Sequence, residues 1–356
     1  MTGVSRRALL AGAFAASAVT TTAGRSACAQ TRSVVDSVGR RVELPVHVGR
    51  VMPAGPPASI LLYAVAPESM LGWVPAPSAE ARPFLLPSVR TKPAVPRLTT
   101  RGAEPDLAAI GSLKPDLILD FGSISTEYAA LADKVQAATH VPYVLVDGAL
   151  DKLPAALRLS GQILGHDKGA QALATYAEQT LDLVEAVLAK VPAARRRKVY
   201  VARGAEALAT AVAGSGLTEV VEKAGAINVA QANAGSGKPG RGGALTATLH
   251  EVIAWNPEIV IAFDRPAWEA MSGRPDWKKV PAVAQGRLYA APTLPWGWLG
   301  EPPSLNRLMG LRWMLQLLYP AEAKLDLRRE TSQFHELFYG VMPADVDLDR
   351  LLAHTQ

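Results

Sequence analysis

"LAAIGSLKPDLILDF", Leu107 to Phe121, and "LHEVIAWNPEIVIAF", Leu249 to Phe263, match in register from end to end. Leu107 aligns with Leu249, Ile110 with Val252, Leu113 with Trp255, Pro115 with Pro257, Asp116 with Glu258 and Phe121 with Phe263. In each copy apolar residues first recur at helical spacing. A proline and an acid then close the helix, and a run of β-formers follows as a buried strand. Two copies in similar surroundings predict two related lobes. Around the first, "GRVMPAG" reads as a strand and turn, "PASILLYAVA" and "EYAALADKVQAA" as helices, and "PYVLVD" as a strand. Around the second, "RKVYVARG" and "GRLYAAP" read as strands and "LTEVVEKAG" as a helix. Strands alternating with helices predict an α/β fold in which each lobe is a parallel-rich sheet flanked by helices.

Between the copies lies "KGAQALATYAEQTLDLVEAVLAKV", Lys168 to Val191, with Leu173, Tyr176, Ala177, Leu181, Val184, Val187 and Leu188 on one face. About 22 helical residues make a rod of roughly 33 Å, long enough to join two lobes and restrict their hinge. The chain therefore divides into a signal at residues 1–29, a first lobe at 30–150, a connecting helical segment at 151–195 and a second lobe at 196–356.

The first segment carries Arg6-Arg7, an apolar run from Ala8 to Val19 and the small-residue pattern Ala27-Cys28-Ala29. This is a cleavable export signal, and Ser5-Arg6-Arg7 with Leu9 and Leu10 resembles the twin-arginine type. Its apolar run is shorter than the roughly 20 residues a membrane span needs, so a periplasmic protein that does not span the membrane is expected. Cys28 is the only cysteine; cleavage after Ala29 leaves no disulfide, thiolate metal site or cysteine nucleophile. Removing the three signal arginines lowers the formal charge from +5 to about +2. The sequence pI of 9.3 therefore does not argue for nucleic-acid binding.

An export signal, two similar lobes and one long helix resemble the periplasmic substrate-binding proteins of ABC importers, in the helix-linked class serving iron–siderophore complexes, haem and cobalamin. "VVDSVGRRVELPVHVGRV", "LKPDLIL", "AWNPEIVI", "WKKVPAVAQGRLYAAP" and "RLMGLRWMLQLLYP" carry the resemblance in order along the chain. It implies a ligand cleft between the lobes, at the carboxyl ends of the strands, where open α/β sheets bind ligands. It also implies a permease dimer with its ATPase as partner, a metal chelate or corrinoid as cargo, no covalently bound cofactor, and a monomer. The family carries a glutamate in each lobe, on the helix before the Pro-Asp strand, that meets permease arginines. Those positions are Ala108 and His250 here, with Glu104 or Asp106, and Glu251, as nearby substitutes.

The loop "PWGWLGEPPS", Pro295 to Ser304, follows a strand and belongs on the cleft rim. Trp296 and Trp298 are candidate stacking faces covered by ligand or by the opposite lobe, with Trp73 and Trp268 as further aromatic candidates. Arg203 follows "KVYVA", Arg265 follows "IVIAFD", and Lys238 and Arg241 lie in "GSGKPGRGG". Guanidinium forks suit the carboxylate or phenolate oxygens of a ferric chelate. Pro239 after Lys238 excludes a phosphate loop, which needs Ser or Thr there. The six histidines form no metal-ligand pair at helical or turn spacing. No hydrolase, metalloprotease or dinucleotide motif appears, so a non-enzymatic protein is expected. The alternatives are an exported α/β hydrolase and a sensor of the same fold without a transport role.

Overall fold

The computed structural model describes residues 30–99, 104–231 and 239–355; the export signal expected at residues 1–29 lies outside them. A hairpin of β1 (Thr31–Val35) and β2 (Arg41–Pro45) opens the chain. The first lobe then runs β3 (Val51–Pro53), α1 (Pro56–Val65), α2 (Leu107–Leu113), β4 (Leu117–Gly122), α3 (Thr126–Thr139) and β5 (Tyr143–Asp147). Its sheet is parallel in the order β3-β4-β5. Helices α4 (Leu153–Leu164) and α5 (Asp167–Leu188) follow, packed against each other. The 22-residue α5 is the expected connecting rod, and it buries Leu173, Tyr176, Ala177, Val184 and Val187.

The second lobe contains β6 (Lys198–Ala202), β7 (Ala209–Ala211), α6 (Glu219–Lys223), β8 (Ile227–Asn228), β9 (Ala244–Thr246), α7 (Leu249–Trp255), β10 (Ile259–Ala262), α8 (Arg265–Gly273), α9 (Pro281–Ala284) and β11 (Leu288–Ala290). Its main sheet is parallel in the order β11-β10-β6-β8, and β7 and β9 form a separate antiparallel pair. Four helices close the chain: α10 (Arg307–Leu318), α11 (Pro320–Ala323), α12 (Leu327–Tyr339) and α13 (Asp345–Leu352).

The repeat is structural down to its hydrogen bonds. Helix α2 is capped by Asp106, which accepts from the Ala109 amide, and α7 by Thr248, which accepts from the Glu251 amide. Both helices end one residue before the proline, at a left-handed residue, Lys114 or Asn256. The acid does not terminate the helix. Asp116 accepts from the Gly49 and Arg50 amides, while its own N–H donates to the Arg50 carbonyl. Glu258 accepts from the Lys198 amide, and its N–H donates to the Lys198 carbonyl. In each lobe the acid thus sets the start of the neighbouring strand.

Strand alternation then divides the core. Leu117, Leu119 and Phe121 of the first lobe, and Val199, Val201, Ile259, Ile261 and Phe263 of the second, join one cluster that also holds the buried face of α5. The intervening residues face outward: Ile118 and Leu145 into a first-lobe cluster, Tyr200, Val260 and Ala262 into a second-lobe cluster. One apolar core therefore runs through both lobes. The last helices cross back over it. Phe334 and Phe338 of α12 meet Tyr176 of α5 at 5.8 and 5.4 Å between ring centroids, and Tyr63 of α1 donates to the Tyr339 carbonyl at 2.5 Å. Among the described residues no helix is long and apolar enough to cross a membrane.

Candidate functional site

Because the strands of each main sheet are parallel, their loops leave from one edge. In the second lobe this edge places Arg203 immediately after β6 and Phe263 immediately after β10. The Arg203 amide donates to the Ala209 carbonyl at 2.8 Å, and the next amide, Gly204, donates to the Asp264 carboxylate at 2.9 Å. Asp264 also caps α8 through the Ala267 amide. The backbone under Arg203 is thus fixed from two sides.

The Arg203 guanidinium lies 4.0 Å from the centroid of the Phe263 ring, a cation–π contact. Its Nη2 donates to Glu301 Oε2 at 2.9 Å. Its Nη1 is buried and has no hydrogen-bond partner among the described residues. The arginine side chain is 20% exposed and Glu301 is 62% exposed. Arg203 is therefore a donor fork held against an aromatic ring, with one prong taken by a solvated carboxylate.

Glu301 belongs to the loop "PWGWLGEPPS". The Gly297 amide donates to the Glu301 carbonyl at 3.1 Å and the Gly300 amide to the Gly297 carbonyl at 3.1 Å, which folds the loop into a tight turn. The turn lies directly on α10: a Cβ on Gly310 would collide with the Trp298 carbonyl. Trp298 is 1% exposed and belongs to the shared core, so it is a packing residue and not the cleft face expected of it. Trp73 is likewise 1% exposed, with its indole N–H donating to the Val89 carbonyl at 2.8 Å; it too is a core residue and not a cleft face. Trp296 is half-buried and crosses to the first lobe. Its ring meets Trp73 at 5.8 Å, Tyr63 at 6.0 Å and Tyr339 at 5.3 Å between centroids. Two of the expected stacking residues, Trp73 and Trp296, therefore cover each other across the lobes.

A second tie crosses beside them. Arg307, at the start of α10, is buried. Its Nη1 donates to Glu219 Oε2 and its Nη2 to the Gly148 carbonyl of the first lobe, each at 2.5 Å. Glu219 in turn accepts from the Leu150 amide at 3.3 Å. Burial lowers the Arg307 guanidinium from its ordinary value, and Glu219 opposes that shift.

The structure separates the other candidates. Arg265 and Trp268 line a cavity of about 370 Å³ with Arg350 and His354. Trp268 is stacked on His354 at 4.4 Å and 26°, and Arg265 is 80% exposed and paired with Glu269 at 2.8 Å. Lys238 lies outside the described residues, and Arg241 begins a short 3-10 turn, Arg241–Gly243. Of the expected docking residues, Glu104 is exposed and paired with Lys134, and Asp106 and His250 are exposed near the starts of the equivalent helices α2 and α7. Glu251 is committed to a capping box, accepting from the Thr248 amide at 2.7 Å. Sequence reasoning missed Phe263, Glu301, Arg307 and Glu219. All four lie in quoted stretches: Phe263 ends the repeat, Glu301 sits in the rim loop, Glu219 lies in "LTEVVEKAG" and Arg307 opens "RLMGLRWMLQLLYP"; their partners are distant in sequence and carry no local signal.

A family model described as "Periplasmic binding protein" matches residues 83–294. No curated protein matches the chain. Among solved structures, an ABC transporter solute-binding protein from Sulfurospirillum deleyianum is 24% identical, with a TM-score of 0.81 over 90% of this chain and 99% of that one. A periplasmic solute-binding protein from Veillonella parvula is 21% identical, with a TM-score of 0.74 over 92% and 98%. The Haemophilus influenzae protein MolA, solved with molybdate bound, is 19% identical, with a TM-score of 0.69 over 88% and 99%.

Proposed function

The chain belongs to the periplasmic binding protein family, whose members are solute-binding transport components and not enzymes, and from that premise we propose that it captures an anionic metal complex between its lobes and delivers it to an ABC permease dimer and its ATPase. A siderophore-type ferric chelate is the leading cargo. Arg203 carries the reading: a guanidinium 4.0 Å from the centroid of the Phe263 ring, with a buried prong that has no hydrogen-bond partner among the described residues, is preset for an anionic oxygen. The cargo is carried, not reacted, and is no covalent cofactor. Molybdate on the Haemophilus relative is likewise an anionic metal species. A neutral corrinoid has less use for this donor.

Delivery rests on the equivalent helices α2 and α7. Two surfaces related by the internal repeat suit a permease of two like subunits. Glu104 and Asp106 on one lobe and His250 and Glu251 on the other are the docking candidates, and the protein acts as a monomer in the periplasm after export by the twin-arginine type of signal. Purification from the native periplasm tests the cargo through mass spectrometry and visible absorption. An iron-containing anionic complex at one per chain is expected. A metal-free or uncharged solute would overturn the reading.

A further inference from the structure

Glu301 is an unusual partner for a cleft arginine. It comes from the chain's own rim loop, and it is three times as exposed as the arginine it serves, 62% against 20%. It occupies only Nη2, while Nη1 lies buried beside it without a hydrogen-bond partner among the described residues. A guanidinium fork is best satisfied by a bidentate anion, and Glu301 supplies a single contact. The ring of Phe263 lies 4.0 Å from the guanidinium, a contact that does not depend on Glu301, so the arginine keeps its position when the carboxylate leaves.

We propose that Glu301 is an internal stand-in for the cargo's anionic oxygen, displaced when the cargo binds, and that it thereby sets the charge selectivity of the cleft. This rests on the reading of Arg203 as the cargo-binding cation. In the empty protein the pair is electrically balanced. A neutral solute that covers the pair desolvates both charges and returns nothing. A solute with an anionic oxygen takes the fork in place of Glu301 and leaves that carboxylate in water, where it is already largely exposed. Solutes are thus sorted by their ability to exchange for a carboxylate. The Glu301 carbonyl stays bonded to the Gly297 amide, so the turn persists while the side chain swings out.

Ferric citrate and iron-free citrate serve as probes, titrated calorimetrically against the full mature chain. Glu301→Gln removes the competing charge with nearly the same shape, and Glu301→Ala removes the side chain. Both variants are expected to bind ferric citrate about three- to tenfold more tightly than the wild type. Replacing Arg203 by Ala should abolish that gain, so that Arg203→Ala and the double variant Arg203→Ala/Glu301→Gln bind alike. Equal or weaker binding by Glu301→Gln and Glu301→Ala would overturn the proposal, as would no binding of either probe by any form. A gain that persists without Arg203 would overturn it too. These outcomes are independent of the solute recovered from the periplasm, which tests the parent reading alone.

Discussion

Replacing Arg307 by alanine tests the seam between the lobes. The side chain is 3% exposed and makes three bonds: Nε to the Ser304 carbonyl at 3.0 Å, Nη1 to Glu219 and Nη2 to the Gly148 carbonyl. Its loss strands the Gly148 carbonyl and leaves Glu219 without its cation. Breaking one side of a buried pair costs about 3–5 kcal/mol. Glu219 is 33% exposed, so water partly re-solvates it and the expected loss lies near ~3 kcal/mol. The double variant Arg307→Met/Glu219→Leu removes both charges and keeps apolar volume, and it should recover at least about half of that loss. Urea unfolding at pH 7 measures the stabilities. Hydrogen exchange at the Leu150 amide, which donates to Glu219, should accelerate in Arg307→Ala. A loss below about 1 kcal/mol, or a double variant as unstable as the single one, would refute the view of Arg307 as a desolvated inter-lobe tie.

Trp298→Ala should lower stability by about 3–5 kcal/mol, as expected for a core tryptophan. Trp296→Ala should lose less because its ring is only half-buried, and thermal melts of the two variants should rank them in that order. His335, with both ring nitrogens buried and without hydrogen-bond partners among the described residues, is held down to about 3 by burial against an ordinary value of 6.5. The folded state therefore prefers it neutral; its stability contribution is full above pH 6.5 and falls by about 1.4 kcal/mol per unit as the pH drops toward 3. In His335→Phe the acid slope of stability from pH 6 to 4 should be shallower, and an unchanged slope would count against it. Asp120 is pushed the other way, up to about 6 from 3.8, by burial. The stability linked to it is present below pH 3.8 and lost as the pH rises through 6, in all about 3 kcal/mol. Asp120→Asn still accepts the Tyr143 hydroxyl bond and should stabilise at pH 7 but not at pH 4, as urea midpoints at the two values would show.

The two-lobe plan was legible because the repeat is written in local signals. Apolar spacing, a helix-closing proline and a run of β-formers lie within fifteen contiguous residues in each copy. The long α5 was legible for the same reason, since its face repeats at 3.6 residues without a break. The site was not, because side-chain cover is decided by residues distant in sequence. Trp296 and Trp298 stand two positions apart in one loop. One crosses to Tyr63 and Trp73, more than two hundred residues away, and the other sinks onto α10. Arg203 directly follows a strand, which marks it in the sequence, and that placement also brings it to Phe263. Its carboxylate partner needed the fold of the rim loop. Tyr339 on α12 reaches α1 through packing that no window of sequence displays.

The most direct measurement is a crystal structure of the protein saturated with the solute recovered from its native periplasm. A metal complex is expected between the lobes, with an anionic oxygen within hydrogen-bond distance of Arg203 and Glu301 turned into solvent. A solute seated in the cavity lined by Arg265 and Trp268, with the Arg203–Glu301 pair still closed, would contradict it.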